Sequence, residues 1–392
     1  MKIPDLQSIF GAERVSDTLE NRLAYSRDAS NLSGECLAVV WPVHLEQVCA
    51  LVEWACREKV DLVPRGAGTG LCGGATPQSS IVVDFSCLTT IGSVDVEQRR
   101  VTVGAGVVVD ALNRALAPHR LCLPVIPSSH LAATIGGMIA TNASGLRAVR
   151  YGSMRNWVEA VTLVDGSGRV HRLSGEALDA VAGREGASGF IVSAELKLTH
   201  QSRQHSLTLR AFDDTAALLT QRATWLADPG LTALEYLNRS AAQAIGWSDR
   251  PHLLAEFEGD GGELREPAKM AELWRKRDSL GPQLSYQGLP ISEDPQAQGD
   301  GLGNLLDWLE AEKIPAFGHL GVGIVHPRFR PGDERIACLY EQLATWGGQI
   351  SGEHGIGLKK RRWTSLAFQE EIRQLKDRYD PARVVNGGKL CW

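Results

Sequence analysis

The chain carries eight cysteines, but it has no C-x-x-C pair and no run at iron–sulfur spacing. Thiols scattered in this way point to reduced cysteines in a cytosol, not to a disulfide framework or a built-in electron relay. No apolar run approaches the roughly 20 residues that a membrane-spanning helix needs. The opening Met1-Lys2-Ile3-Pro4-Asp5 leads into polar sequence and lacks the pattern of a secretory leader, so the expected setting is cytoplasmic with no membrane span. Charge of one sign is also missing. A net charge of −5 over 392 residues excludes a general nucleic-acid binder. The single basic run, Lys359-Lys360-Arg361-Arg362, is expected to be a solvated face. There is no repeat and no low-complexity segment. What remains is a chain long enough for two or three domains, each with a core of its own.

Glycine is plentiful and concentrated. The stretch Pro64-Arg65-Gly66-Ala67-Gly68-Thr69-Gly70-Leu71-Cys72-Gly73-Gly74 follows the apolar run Val60 to Val63. Alternating glycines let a backbone turn tightly and present several N–H groups to an anion. The loop alone reads equally as a phosphate cradle or as an ordinary Gly-rich turn. It lacks the G-x-G-x-x-G spacing of a Rossmann unit. A second segment contains Pro127-Ser128-Ser129, Thr134-Ile135-Gly136-Gly137 and Thr141-Asn142-Ala143-Ser144-Gly145, then Arg150-Tyr151-Gly152. Small residues and hydroxyls with little apolar periodicity suit close approach of a flat ligand better than a core element.

Around these segments the periodicity predicts a helix over 42–59 and short strands at 60–63, 81–84 and 101–103. A further helix is expected over 107–116. Asp165-Gly166-Ser167-Gly168 between 159–164 and 169–173 signals a hairpin. Phe190 to Leu198 alternates as a strand. Locally, strand, helix and strand units argue for α/β layers. From about residue 205 helical stretches alternate with short strands such as 252–257. A helix over 266–280 begins at Pro267, a residue suited to a first turn.

Two histidines, His319 and His326, lie seven apart in Gly318-His319-Leu320-Gly321-Val322-Gly323-Ile324-Val325-His326. One uninterrupted strand would send them to opposite faces, but Gly321 and Gly323 permit a bend. Ser351-Gly352-Glu353-His354-Gly355-Ile356-Gly357 adds a carboxylate and another imidazole. Two His and one Glu suit a divalent transition metal with open positions, although scattered histidines are more often structural.

The two glycine segments together resemble the flavoproteins of the vanillyl-alcohol oxidase type. Within them the resemblance is to the D-2-hydroxyacid dehydrogenase branch, which includes the glycolate oxidase flavin subunit, D-lactate dehydrogenase and D-2-hydroxyglutarate dehydrogenase. It spans most of 36–200 and 270–390. The resemblance implies an α+β protein: an FAD-binding domain over 1–204, a shortened antiparallel sheet-plus-helix cap over 205–362, and a segment over 363–392 that returns to the FAD domain. It implies non-covalent FAD, since Thr69 stands where covalent relatives often carry a linking His. Gly66, Gly68, Thr69 and Gly70 would hold the pyrophosphate. Thr134, Gly137, Thr141, Asn142 and Gly152 would line the flavin. Arg65, Pro127, Ser128, Gly136, Ile191 and Asn386 complete the implied cofactor set.

In the same way His319, His326 and Glu353 would bind a divalent metal such as Zn or Mn. His354 would accept the proton of the substrate hydroxyl, and Arg277 of Leu273-Trp274-x-x-Arg277 would grip the substrate carboxylate. The family's G-H-x-G-D-G-N-x-H frame is altered, with Val322 for Asp and Ile324 for Asn. The segment Glu293-Asp294-Pro295 is only half of its family counterpart. The implied activity is FAD-dependent oxidation of a small D-2-hydroxy acid. Electrons would leave to a quinone or an acceptor protein, and homo-oligomerisation is left open. Two alternatives stand: an oxidase of a non-acid alcohol or aldehyde, and an FAD-carrying subunit that needs partner chains.

Overall fold

The computed structural model describes residues 3–202 and 204–391. Met1 and Lys2 of the polar opening lie outside the described residues. The chain divides into two compact units. The first comprises 1–143, 153–201 and 354–392; the second comprises 144–152 and 202–353. The last piece of the first unit begins at His354, and the short piece 144–152 groups with the second unit.

The first unit carries two main sheets. Strands β1 (Val15–Ser16), β2 (Cys36–Val40), β3 (Leu62–Arg65) and β4 (Ser80–Asp84) form one in the order β1-β2-β4-β3. β2, β4 and β3 run parallel and β1 antiparallel. β2 and β4 are short apolar runs, as parallel strands covered on both faces should be. The helix Leu45–Glu58 connects β2 to β3 and buries Val48, Leu51, Val52, Trp54 and Ala55 along one stripe. The second sheet draws on β5 (Arg100–Gly104), β7 (Val158–Val164), β8 (Val170–Ser174) and β9 (Phe190–Lys197), ordered β5-β9-β7-β8 and antiparallel throughout. β7 and β8 are the hairpin that Asp165-Gly166-Ser167-Gly168 announces. The minor strands β6 (Leu121–Cys122) and β10 (Thr199–His200) pair with each other.

One cluster of buried apolar side chains, from Leu6 to Val385, joins both sheets of this unit. Gly136 shows how tightly it is packed: a Cβ there would stand 2.7 Å from the Cβ of Ala105. Gly136→Val is expected to destabilise the unit by about 1–3 kcal/mol. Urea unfolding followed by circular dichroism measures this directly, and an unchanged midpoint would show that the helix shifts freely. The basic run departs from expectation. Lys360 is buried at 1 % exposure and Arg361 donates to the Gly388 carbonyl of the C-terminal tail, while Arg362 faces solvent, so the run is only partly a solvated face.

The second unit is built on a six-stranded antiparallel sheet. Its members are β11 (His205–Ala211), β12 (Leu231–Leu237), β13 (His252–Glu258), β14 (Ile291–Ser292), β15 (Ala316–His319) and β16 (His326–Phe329). The order is β11-β13-β12-β15-β16-β14. Helices Thr215–Leu226, Pro267–Asp278, Gly299–Ala311 and Arg335–Thr345 belong to the same unit. Every residue of β12 is buried, which makes its one carboxylate, Glu235, conspicuous.

Candidate active site

In the second unit the bend between the two histidines forms as the glycines allow. β15 ends at His319, a short 3-10 turn covers Leu320–Val322, and Gly323 follows at φ +74°. A Cβ on Gly323 would lie 2.1 Å from the Ala297 carbonyl oxygen, so both its backbone and its surroundings require glycine. Phe317 pairs with His326 across the resulting hairpin. The imidazole rings of His319 and His326 end 5.3 Å apart and nearly perpendicular, at 86°. Glu353 joins them: its Oε2 is 3.8 Å from His319 Nε2 and its Oε1 is 3.6 Å from His326 Nε2. One ligand atom from each residue falls within 4.8 Å of the others. Bonds of about 2.0–2.2 Å to a common ion place two ligand atoms at most about 4.4 Å apart, a limit that both Glu353–histidine separations meet.

Each of the three is also held from behind. His319 Nδ1 meets Glu235 Oε1 at 2.6 Å, across the register pair Glu235–His319 of β12 and β15. His326 Nδ1 donates to the Glu293 carbonyl at 3.3 Å. Glu353 Oε2 accepts from Ser144 Oγ at 2.8 Å, and its backbone N–H donates to Asp294 Oδ2 at 2.7 Å. With Nδ1 of both rings engaged, Nε2 carries the lone pair that faces the cluster, the arrangement seen in metal-binding histidines. Burial alone would push the Glu235 carboxyl up, but Arg277 and His319 outweigh it and hold it down at about 2. Burial lowers the His319 imidazole, and the Glu235 carboxylate outweighs that and raises it.

Arg277 reaches this network by an unexpected route. Its Nε and Nη2 both bond to Glu235 Oε2, with the Nε contact at 2.7 Å. Its Nη1 donates to Asp278 at 3.3 Å, and the guanidinium lies 5.2 Å from the Phe317 ring centroid. A residue implied as the carboxylate grip thus has its fork closed on an internal carboxylate. Where the family carries Asp and Asn, the apolar replacements pack. Ile324 lies over Gly352, where a Cβ would be 2.5 Å from its Cγ1. The Val322 carbonyl receives the side-chain amides of Gln296 and Gln298.

In the first unit the glycine loop leaves β3 at Arg65. Arg65 donates to the Arg27 carbonyl and stacks over Tyr25, with its cation 5.2 Å from the ring centroid. Gly68, at φ +67°, accepts from Ala29 through its carbonyl. Among the described residues the N–H groups of Ala67 to Leu71 have no acceptor, and nothing stands within 4 Å of a Cβ built on Gly70. Five successive amide donors, with open space at Gly70 and the Arg65 guanidinium beside Gly68, fit a pyrophosphate.

The second glycine segment packs directly on this loop: a Cβ on Gly66 would lie 2.2 Å from Thr134 Oγ1. Thr134 caps the helix Ile135–Ala140 through Gly137 N–H, and Thr141 Oγ1 donates to the Gly137 carbonyl. Asn142, at φ +51°, accepts from Arg155 N–H. These hydroxyls and the amide shape the segment before any ligand arrives. Pro127 is half-buried, Ser128 exposed and Ile191 buried in β9. Gly152, at φ +69°, ends the short helix Ala148–Tyr151 within the piece 144–152 of the second unit. Asn386 is buried and donates to the carbonyls of Gly74 and Glu185 while accepting from Lys389.

Sequence reasoning missed Glu235, Ser144 and Glu185, and took Asp294 only as a fragment of a motif. Glu185 Oε1 accepts from Ile356 and Gly357 N–H, and so pins the residues just after His354. Its burial raises its carboxyl above the usual range. The one available signal was Glu235, the lone charged residue in Leu231-Thr232-Ala233-Leu234-Glu235-Tyr236-Leu237.

Comparison with known proteins identifies the family. A family model described as an FAD binding domain matches residues 36–174. A second, described as FAD linked oxidases, C-terminal domain, matches 205–390. The chain belongs to the FAD-linked oxidases, and its N-terminal domain is of the kind that binds FAD. It is 29 % identical to the D-2-hydroxyglutarate dehydrogenase of Xanthomonas citri over 455 positions, covering 99 % of this chain and 96 % of that one. It is 30 % identical to the D-lactate dehydrogenase of Archaeoglobus fulgidus, covering 91 % and 92 %. The glycolate oxidase subunit GlcD of Bacillus subtilis is 27 % identical, covering 98 % and 95 %. The 455-position alignment exceeds the 392 residues of this chain, so that relative carries segments absent here. A solved alkyldihydroxyacetonephosphate synthase shares the fold with a TM-score of 0.72 at 16 % identity, over 99 % of this chain and 84 % of that one. Among the described residues no helix is long and apolar enough to cross a membrane.

Proposed function

We propose that this chain oxidises a D-2-hydroxy acid to the 2-oxo acid, with FAD as the electron acceptor. The observation that carries the reading is the cluster of His319, His326 and Glu353, each ligand oriented by a partner of its own. When bound, FAD supplies the two-electron acceptor, and a divalent ion such as Zn or Mn supplies Lewis acidity at the hydroxyl oxygen. The residues Gly66, Gly68, Thr69 and Gly70 would hold the cofactor's pyrophosphate through the N–H groups of their loop. His319 and His326, through Nε2, and the Glu353 carboxylate would hold the ion.

Two neutral imidazoles and one carboxylate leave such an ion with one net positive charge, which complements the carboxylate of a hydroxy acid. That favours an acid over a plain alcohol. His354, next in the chain after Glu353, takes the hydroxyl proton at an imidazole nitrogen. Arg277 has its fork on Glu235, so in this reading charge recognition of the substrate lies with the ligand cluster. Re-oxidation by an external acceptor, a quinone or an electron-transfer protein, completes turnover.

The test is the anaerobic visible spectrum of the purified flavoprotein titrated with paired D- and L-2-hydroxy acids. Bleaching by a D-acid and not by its L-isomer is the expected result. A bound flavin that no acid reduces would overturn the reading and direct the search to alcohols and aldehydes.

A further inference from the structure

Glu235 is the one carboxylate in β12, and it is fully buried. Its two oxygens are divided between two residues. Oε1 faces His319 Nδ1 at 2.6 Å, and Oε2 receives Nε and Nη2 of Arg277. His319 and Glu235 sit opposite each other on β15 and β12, so the backbone ladder sets their approach. Arg277 comes from the last turn of the helix Pro267–Asp278 and is 9 % exposed. Phe317, two residues before His319 on the same strand, lies beneath its guanidinium. Burying a lone carboxylate here would be costly, and a buried pair tolerates it only when its remaining lone pairs are satisfied. Both conditions are met, by one arginine and one histidine.

We infer that Glu235 and Arg277 form a positioning pair for the metal centre, an inference that rests on reading His319, His326 and Glu353 as metal ligands. Glu235 fixes the His319 ring and its Nδ1–H tautomer, which presents Nε2 to the ion. Arg277 holds Glu235 in place and cancels its charge, so the ligand set keeps the single negative charge of Glu353. Without Arg277 an extra anion behind His319 would neutralise the positive charge that a hydroxy-acid carboxylate meets. Arg277 thus acts through Glu235 and not by touching substrate.

The experiment uses the full-length flavoprotein. Zn and Mn affinities are measured by chelator competition, and the Mn(II) paramagnetic resonance line shape reports ligand symmetry. Wild type, Glu235→Gln, Glu235→Asp, Arg277→Met and the double variant Glu235→Gln/Arg277→Met are compared. Glu235→Gln is expected to weaken metal binding by about 10–100-fold and to change the Mn(II) line shape, with flavin content unchanged. Glu235→Asp, which keeps the charge on a shorter arm, should recover part of the affinity. The double variant should be no weaker than Glu235→Gln alone.

If Arg277→Met kept wild-type metal affinity and only raised KM for the acid, Arg277 would be a substrate grip and the pair would be refuted. Unchanged affinity in both Glu235 variants would refute it as well. Should Glu235→Gln not fold, the Glu235→Asp and Arg277→Met results decide. If the wild type itself binds neither metal, the metal reading falls, and the pair with it; a metal-binding wild type with insensitive variants sinks the pair alone.

Discussion

His354→Gln is expected to slow reduction of the flavin by a D-2-hydroxy acid by about 10²–10⁴-fold, the usual contribution of a positioned acid–base group. Flavin content and metal content should stay as in the wild type. Glutamine retains a hydrogen-bonding side chain of similar reach but takes up no proton. The loop that carries residue 354 is held by other means. Glu185 receives the N–H groups of Ile356 and Gly357, and a Cβ on Gly355, at φ +86°, would come within 2.6 Å of Glu185 Oε1. The substitution therefore removes the proposed base and leaves the Glu185 bonds to Ile356 and Gly357 in place. Anaerobic stopped-flow at the flavin absorbance separates this step from re-oxidation. A pH profile run in parallel should lose the limb that reflects the base. A variant that reduces its flavin at the wild-type rate would show that the hydroxyl proton leaves by another group.

Loss of the metal should be comparably damaging. Glu353→Ala removes the only charged ligand of the cluster and leaves two imidazoles, a set that holds a divalent ion far less firmly. Lewis-acid stabilisation is worth several kcal/mol, so turnover should fall by at least about 10²-fold. The same loss should follow prolonged chelation of the wild type and be reversed by adding back Zn or Mn. Elemental analysis before and after chelation gives an independent readout. Full activity in a demonstrably metal-free wild type would remove the ion from the reaction and leave the cluster as a hydrogen-bonded structural feature. The substitution also removes the bond from Ser144 Oγ and the carboxylate contacts to His319 and His326.

Much of this protein is legible along the chain where short-range chemistry dominates. The helix Leu45–Glu58 follows from its apolar spacing, and the β7–β8 hairpin from Asp165-Gly166-Ser167-Gly168. Gly321 and Gly323 announce the bend between the histidines, because a left-handed residue without a Cβ is a local requirement. The glycine loop after β3 is equally local: a pattern of small residues leaves the N–H groups of Ala67 to Leu71 without an acceptor among the described residues. Hydrophobic periodicity and glycine placement are properties of neighbouring residues, and sequence carries them directly.

What sequence leaves undetermined is long-range pairing. Glu235 meets His319 across 84 positions because two strands align in one register, and a shift of a single residue would turn the carboxylate to the other face. Arg277 is legible as an arginine on an amphipathic helix, yet nothing local says that its fork closes on Glu235 instead of opening to a ligand. Asp294 and Ser144 support Glu353 from 59 and 209 positions away for the same reason. The basic run at 359–362 reads as solvent-facing throughout, yet Lys360 is buried within it. Residue types and turns, then, are determined by the sequence itself: which imidazoles, which carboxylate, which glycines. Only the tertiary structure decided which charge stands behind which ligand, because burial strengthens such contacts while strand register and helix docking choose the partners.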